Sequence, residues 1–211
     1  MASTDPRRGY APVNGLQMYY EVHGAGEPVV LLHGAYSNIE SDFGKLLPAL
    51  AQTRQVIAVE QQGHGRTADV VRPLAYEQMA DDTAGLLRHL GIGPVDLFGY
   101  SMGGGIALQL ARRHPALVRK VVLAGGTGYS WAGFYPEVTA GLGGMAPEVM
   151  AEVLAGTPWG QAYARLASNP GDFPSLVAKK MALETKSVNT NEPYNTLTSI
   201  MSPCVASDSA A

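Results

Sequence analysis

The stretch Val95-Asp96-Leu97-Phe98-Gly99-Tyr100-Ser101-Met102-Gly103-Gly104-Gly105-Ile106-Ala107-Leu108-Gln109-Leu110-Ala111 decides how this chain folds. Its first four residues read as a short apolar strand, and the small and apolar residues after Ser101 suit a buried helix. Ser101 falls at the corner between them, with Gly99 and Gly103 two residues to either side. A turn that sharp strains its central residue, and glycines at this spacing keep side chains from colliding with the strand and the helix. A hydroxyl at a helix N-terminus meets free backbone N–H groups and the positive end of the helix dipole, both of which favour developing negative charge. A serine placed there is a candidate nucleophile, with the Met102 N–H as one donor to an oxyanion. In a chain with 25 glycines the five-residue pattern also arises by chance, so its surroundings carry much of the argument.

Outward from this corner the chain alternates strands and helices. Tyr10 to Val13 and Leu16 to Val22 flank Asn14-Gly15, a two-residue hairpin signal, so an antiparallel pair opens the chain. Pro28 to Leu32 is an apolar run ending at His33-Gly34 and suits a strand buried on both faces of a sheet. Phe43 to Leu50 has helical spacing, and Gln55 to Val59 is the next buried strand. Tyr76 to Leu90 places Met79, Thr83, Leu86, Leu87 and Leu90 on one helical face and closes at Gly91. After the Ser101 unit, Arg119 to Ala124 is another strand. This alternation predicts an α/β fold: a mainly parallel sheet with helices on both faces.

Beyond Gly125-Gly126 the pattern changes. Residues 127–195 hold no convincing buried strand but several short helices, around Pro147 to Leu154, Pro158 to Ala167 and Pro174 to Leu183. They read as a helical cap on a core of residues 1–126, with residues 196–211 as the remnant of a further core strand and a tail. Tyr129, Trp131, Phe134, Tyr135 and Trp159 fit either the lining of an apolar substrate cleft or the internal packing of the cap.

Composition removes whole classes of function. A net charge of −3 with scattered basic residues gives no electrostatic reason to expect nucleic acid or an anionic membrane as partner. A single cysteine, Cys204, allows no internal disulfide. Met1 to Tyr10 lacks the apolar core of a signal peptide, and no apolar run is long enough to span a bilayer, so a cytoplasmic location is expected. No cluster has metal-ligand spacing, and neither metal nor cofactor is expected. The expected partner is a small-molecule substrate.

Three blocks, in this order, resemble the alpha/beta-hydrolase family, over roughly residues 10–200. Leu31-Leu32-His33-Gly34-Ala35 resembles its strand-end HG motif, which implies Ala35 as the second oxyanion N–H and His33 and Gly34 as structural residues. Gln62-Gly63-His64-Gly65-Arg66-Thr67 resembles its G-x-G-x-[ST] turn, although Glu60-Gln61-Gln62 replaces the usual Asp-x-Arg lead-in. Gly99-Tyr100-Ser101-Met102-Gly103-Gly104 resembles its nucleophile elbow. The Tyr-Ser-Met-Gly-Gly form is similar to small esterases, lactonases, carbon–carbon bond hydrolases and cofactor-free haloperoxidases. The serine argues against the haloalkane dehalogenases and epoxide hydrolases, which use aspartate.

The resemblance also implies an acid and then a histidine after the serine, because a serine needs a base and a group to orient it. The histidines are His23, His33, His64, His89 and His114. His114 lies thirteen residues beyond Ser101 on the same predicted helix, some 20 Å away at about 1.5 Å per residue. His89 ends the preceding helix on the same wrong side, and His23 belongs to the opening hairpin. His33 and His64 lie at the functional edge, but neither is assigned as the base. For the acid, Ser199 to Asp208 resembles a degraded strand approach and offers Asp208, set in a Ser/Ala-rich stretch that equally suits a disordered tail. By comparison with the family, the last helix, strand and histidine loop are missing, so the chain is expected to be C-terminally truncated.

The expected function is that of a serine hydrolase acting on an ester-like or other small carbonyl compound through an acyl-enzyme on Ser101, impaired by the lack of a histidine. The alternative is a non-catalytic remnant or ligand-binding module. Truncation would leave the strand at Val121 to Leu123 as an uncovered edge, so reduced stability and self-association through that edge are expected. Sedimentation and thermal unfolding check this, and a sharp, high-temperature monomeric transition would count against it.

Overall fold

The computed structural model describes residues 6–125 and 145–185. Strands β1 (Arg7–Val13) and β2 (Leu16–His23) form the opening hairpin, turned at Asn14 and Gly15 with φ +48° and +84°. Two positive φ values in succession are what the type I′ turn requires, and Asn-Gly adopts them at least cost. Strands β3 (Glu27–Leu32), β4 (Arg54–Val59), β5 (Val95–Tyr100) and β6 (Val118–Ala124) complete a six-stranded sheet in the order β1-β2-β4-β3-β5-β6. β1 and β2 pair antiparallel and β2 meets β4 antiparallel, while β4, β3, β5 and β6 run parallel. The observed architecture is the mainly parallel α/β sheet that the alternation predicts.

Side chains of β3 alternate between two cores, as the two-residue period of a strand demands. Val30 and Leu32 pack with α3 (Tyr76–Leu90) and α4 (Met102–Arg113), whereas Val29 and Leu31 pack with Phe43 and Leu47 on the other face. The predicted helix over Phe43 to Leu50 is instead two short ones, α1 (Ile39–Phe43) and α2 (Leu46–Leu50). Asn38 starts α1 by accepting the Glu40 and Ser41 amides, a capping box that the reading of the sequence did not identify. Pro48 explains the break: deep in one continuous helix its ring would strike the carbonyl one turn back, but in the first turn of α2 it costs little.

Beyond the sheet, α5 (Pro147–Ala155), α6 (Pro158–Leu166) and α7 (Phe173–Thr185) lie within two residues of the predicted cap helices. Met150, Leu154, Tyr163, Phe173, Leu176 and Val177 join the same core as α3 and α4, so these helices seal directly onto the sheet domain. Polar ties reinforce the seam: Lys179 Nζ donates to Asp69 and to the Val70 carbonyl at 2.6 and 2.8 Å, and Arg165 pairs with Glu40 at 3.0 Å. Among the described residues β6 is an outer strand, and its Val122 is 51% exposed.

Candidate active site

The sheet order brings the two expected oxyanion segments together. β3 is paired with β5 through Leu32 and Gly99, so the loop leaving β3 at His33-Gly34-Ala35 emerges beside the corner leaving β5 at Ser101. Both lie at the carboxyl ends of parallel strands, where open α/β sheets hold their ligands. Ser101 has φ +50° and ψ −117°, outside the regions an L-residue favours, and it caps α4 without a side-chain hydrogen bond. Its amide donates to the Ala124 carbonyl at 3.0 Å, and its carbonyl accepts from Gly104 at 2.9 Å, so backbone on both sides holds the strained conformation. Met102 opens α4, so its amide has no intrahelical acceptor.

Close packing explains the glycines. A Cβ on Gly99 would stand 2.7 Å from the Gly103 carbonyl carbon, and one on Gly103 would stand 2.5 Å from the Leu32 carbonyl carbon. Gly34 sits against Tyr100 and Asp42. The Asp42 carboxylate accepts the Gly34 N–H at 2.7 Å and the Ser37 hydroxyl at 2.5 Å, bracketing Ala35 and Tyr36. Tyr36 itself is held at φ +59°, a second strained residue within this loop.

Ser101, Gly34, Ala35 and Tyr36 line one cavity of about 540 Å³, closed by Met150 and Leu154 of α5, Trp159 of α6 and Lys180 and Glu184 of α7. Trp159 thus takes the cleft-lining role that the sequence left open. Tyr129, Trp131, Phe134 and Tyr135 lie outside the described residues, as do Asp208 and Cys204. The sequence reading missed Lys180 and Glu184, and their four-residue spacing within a charged helix was the one available signal.

No histidine among the described residues lines this cavity. His33 is fully buried, and both its ring nitrogens are engaged: Nε2 accepts the Gln61 N–H at 3.0 Å and Nδ1 donates to the Gly34 carbonyl at 2.7 Å. Burial pulls its pKa below the ordinary histidine value. His64 donates from Nδ1 to the Gln62 carbonyl at 2.9 Å, which leaves Nε2 as a bare, buried acceptor. Burial, as the largest cause, brings its pKa down to about 3. Both rings are neutral struts of the motif loops. His114 pairs with Asp81 at 2.8 Å and His23 with Glu21 at 2.7 Å, each away from the cavity, and His89 ends α3. Glu60, in the unusual lead-in, is fully buried and holds the turn by accepting the Arg66 backbone N–H at 2.5 Å and its guanidinium at 2.8 Å.

A parallel α/β sheet whose strained serine caps a glycine-packed helix at the carboxyl edge defines the hydrolase-type elbow class. Comparison with known proteins agrees: the family described as alpha/beta hydrolase fold matches residues 27–188, and the chain belongs to that family. It is 38% identical over 122 residues to a 2-hydroxymuconate semialdehyde hydrolase of Pseudomonas sp. (strain CF600), a match covering 56% of this chain and 42% of that protein. It is 34% identical over 113 residues to a non-heme haloperoxidase of Rhodococcus erythropolis, covering 53% and 41%. The matched region thus spans about two-fifths of the length of these relatives. Among solved structures, Est816, described as an N-acyl homoserine lactone degrading enzyme, superposes with a TM-score of 0.63 at 24% identity, covering 91% of this chain and 78% of that one. The epoxide hydrolase CorEH gives 0.68 at 21%, covering 89% and 75%. At these identities the structural likeness speaks for the fold. Among the described residues no helix is long and apolar enough to cross a membrane, and no cluster of His, Cys, Asp and Glu could hold a metal ion.

Proposed function

We propose that this chain carries the nucleophile and oxyanion half of a serine hydrolase for ester-like or other small carbonyl compounds. The observation that carries the reading is Ser101, held at φ +50° on the N-terminus of α4 and lining the cavity. Its hydroxyl oxygen would attack the substrate carbonyl, with the Ala35 and Met102 N–H groups holding the oxyanion. Collapse of the tetrahedral intermediate would expel the alcohol and leave an acyl-enzyme, which water would cleave to the acid. Because no histidine among the described residues lines the cavity, the general base is the weak element, and low turnover is expected. That observation also supports a second reading, a ligand-binding module that retains the cavity without catalysis.

Turnover of p-nitrophenyl acetate by the 211-residue chain and by Ser101→Ala separates the two. The first reading predicts a rate at least about tenfold above the variant, yet several orders of magnitude below that of an intact triad. Equal rates would leave only the binding module.

A further inference from the structure

We propose that Lys180, with Glu184 as its resting counter-ion, forms an anion subsite in the Ser101 cavity, so that the ligand it takes carries a carboxylate beside its reactive carbonyl. The proposal rests on that cavity being the substrate site. Lys179 and Lys180 are neighbours on α7 with opposite fates. Lys179 lies part-buried at the seam and is satisfied by Asp69 and the Val70 carbonyl. Lys180 is among the residues lining the cavity, its side chain is 2% exposed, and among the described residues its partner is Glu184. An ammonium carries three N–H donors, so one carboxylate oxygen leaves capacity for a second acceptor.

Stability does not account for this pair. A buried ion pair seldom outperforms apolar residues of the same volume, because two charges must be stripped of water. Lysine preceding glutamate by four residues is also the less favourable order along a helix. The desolvation is real: burial draws the Lys180 ammonium below the ordinary lysine range, against the pull of Glu184. Burial also keeps the phenols of Tyr36 and Tyr76 protonated, and the Glu184 charge adds to that effect. Glu184 and Tyr36, the residue after Ala35 on the proposed oxyanion loop, line the same cavity. The Glu184 side chain is 21% exposed and keeps part of its hydration, so the lysine is the partner short of ligands. Asp42 also lines the cavity, but its two carboxylate oxygens are engaged by the Gly34 N–H and the Ser37 hydroxyl, so a carboxylate entering beside Lys180 would meet a charged donor already desolvated, where such bonds are strong.

Isothermal titration of the full chain carrying Ser101→Ala, with monomethyl glutarate and the near-isosteric dimethyl glutarate, tests the subsite without requiring turnover. Monomethyl glutarate is expected to bind about tenfold tighter. Adding Lys180→Met should abolish that preference, Lys180→Arg should keep it, and Glu184→Gln should increase it by removing the competing carboxylate. The Glu184→Gln arm stands even if Lys180→Met fails to fold. Equal binding of the two esters, no measurable binding of either, a preference that survives Lys180→Met, or one that Glu184→Gln leaves unchanged or lowers, overturns the proposal. Failure of the ester-turnover assay with the preference intact would leave the same subsite in a binding module.

Discussion

Lowering the pH from 7 to 5 is expected to remove about 2 kcal/mol of unfolding free energy through His64 alone. In the folded protein His64 stays neutral down to a pKa of about 3, whereas in the unfolded chain it returns to its ordinary 6.5. Between those values the unfolded state binds more protons, so stability is fully present above about pH 6.5 and drains away as pH falls toward 3. His33, also depressed by burial, acts in the same direction. Asp81, held below the usual carboxylate range chiefly by its hydrogen bond with Arg113, loses its contribution only below about pH 4, outside this interval. Glu60 works in the opposite sense, since burial pushes its carboxyl up and the folded state takes a proton earlier than the unfolded one.

His64→Asn isolates the histidine from these other groups. The asparagine amide can replace Nδ1 as donor to the Gln62 carbonyl, and it does not titrate. Urea unfolding at pH 7, 6 and 5 should show the variant's stability falling by about 2 kcal/mol less than the parent's across the interval. Parallel profiles would mean that His64 is not held neutral, and the account of the motif loops as neutral struts would be lost.

Gly103→Ala is expected to cost about 3 kcal/mol, lowering the melting temperature by roughly 6–12 °C for a chain of this size. In most helix interiors the change from glycine to alanine gains about 1 kcal/mol, so propensity predicts the opposite sign. Packing reverses it. The new Cβ would lie 2.5 Å from the Leu32 carbonyl carbon and 2.9 Å from the His33 carbonyl oxygen. Both are backbone atoms at the end of a central strand and cannot swing aside as a flexible side chain would. To make room, α4 must lift off β3 and carry Ser101 and the Met102 N–H with it. Gly85→Ala on α3 is the matched control: its Cβ would meet Val13 at an ordinary 3.5 Å, and a small gain is expected. Thermal unfolding of the two variants should therefore diverge, and a Gly103→Ala protein melting within about 2 °C of the parent would remove the steric basis of the elbow.

The legibility of the chain follows from the range of each constraint. Asn14-Gly15, the apolar run of β3 and the Gly99-Tyr100-Ser101-Met102-Gly103 corner are local, because a left-handed turn, a two-sided strand and a strained serine each impose their demand within a few residues. The exclusion of His114 from the cavity was legible for the same reason, since the rise of one helix suffices to place it far from Ser101. The division of Phe43 to Leu50 was also encoded locally, in the Asn38 capping box and Pro48, but periodicity outweighed those signals. Long-range pairings were not legible. The Gln61 amide reaches His33 Nε2 across 28 positions, which turns a histidine at the functional edge into a structural strut.

The sequence by itself determined the alpha/beta architecture, the strained serine and the glycines around it, because each depends on backbone geometry over a short span. Only the tertiary structure decided what faces Ser101. It closes the cavity with α7, whose residues lie some eighty positions further along the chain, and puts Lys180 and Glu184 where spacing alone could mark them only as one more charged pair on a helix. The physical reason is that a side chain's role here depends on whether water is excluded from it, and burial is a property of the packed whole.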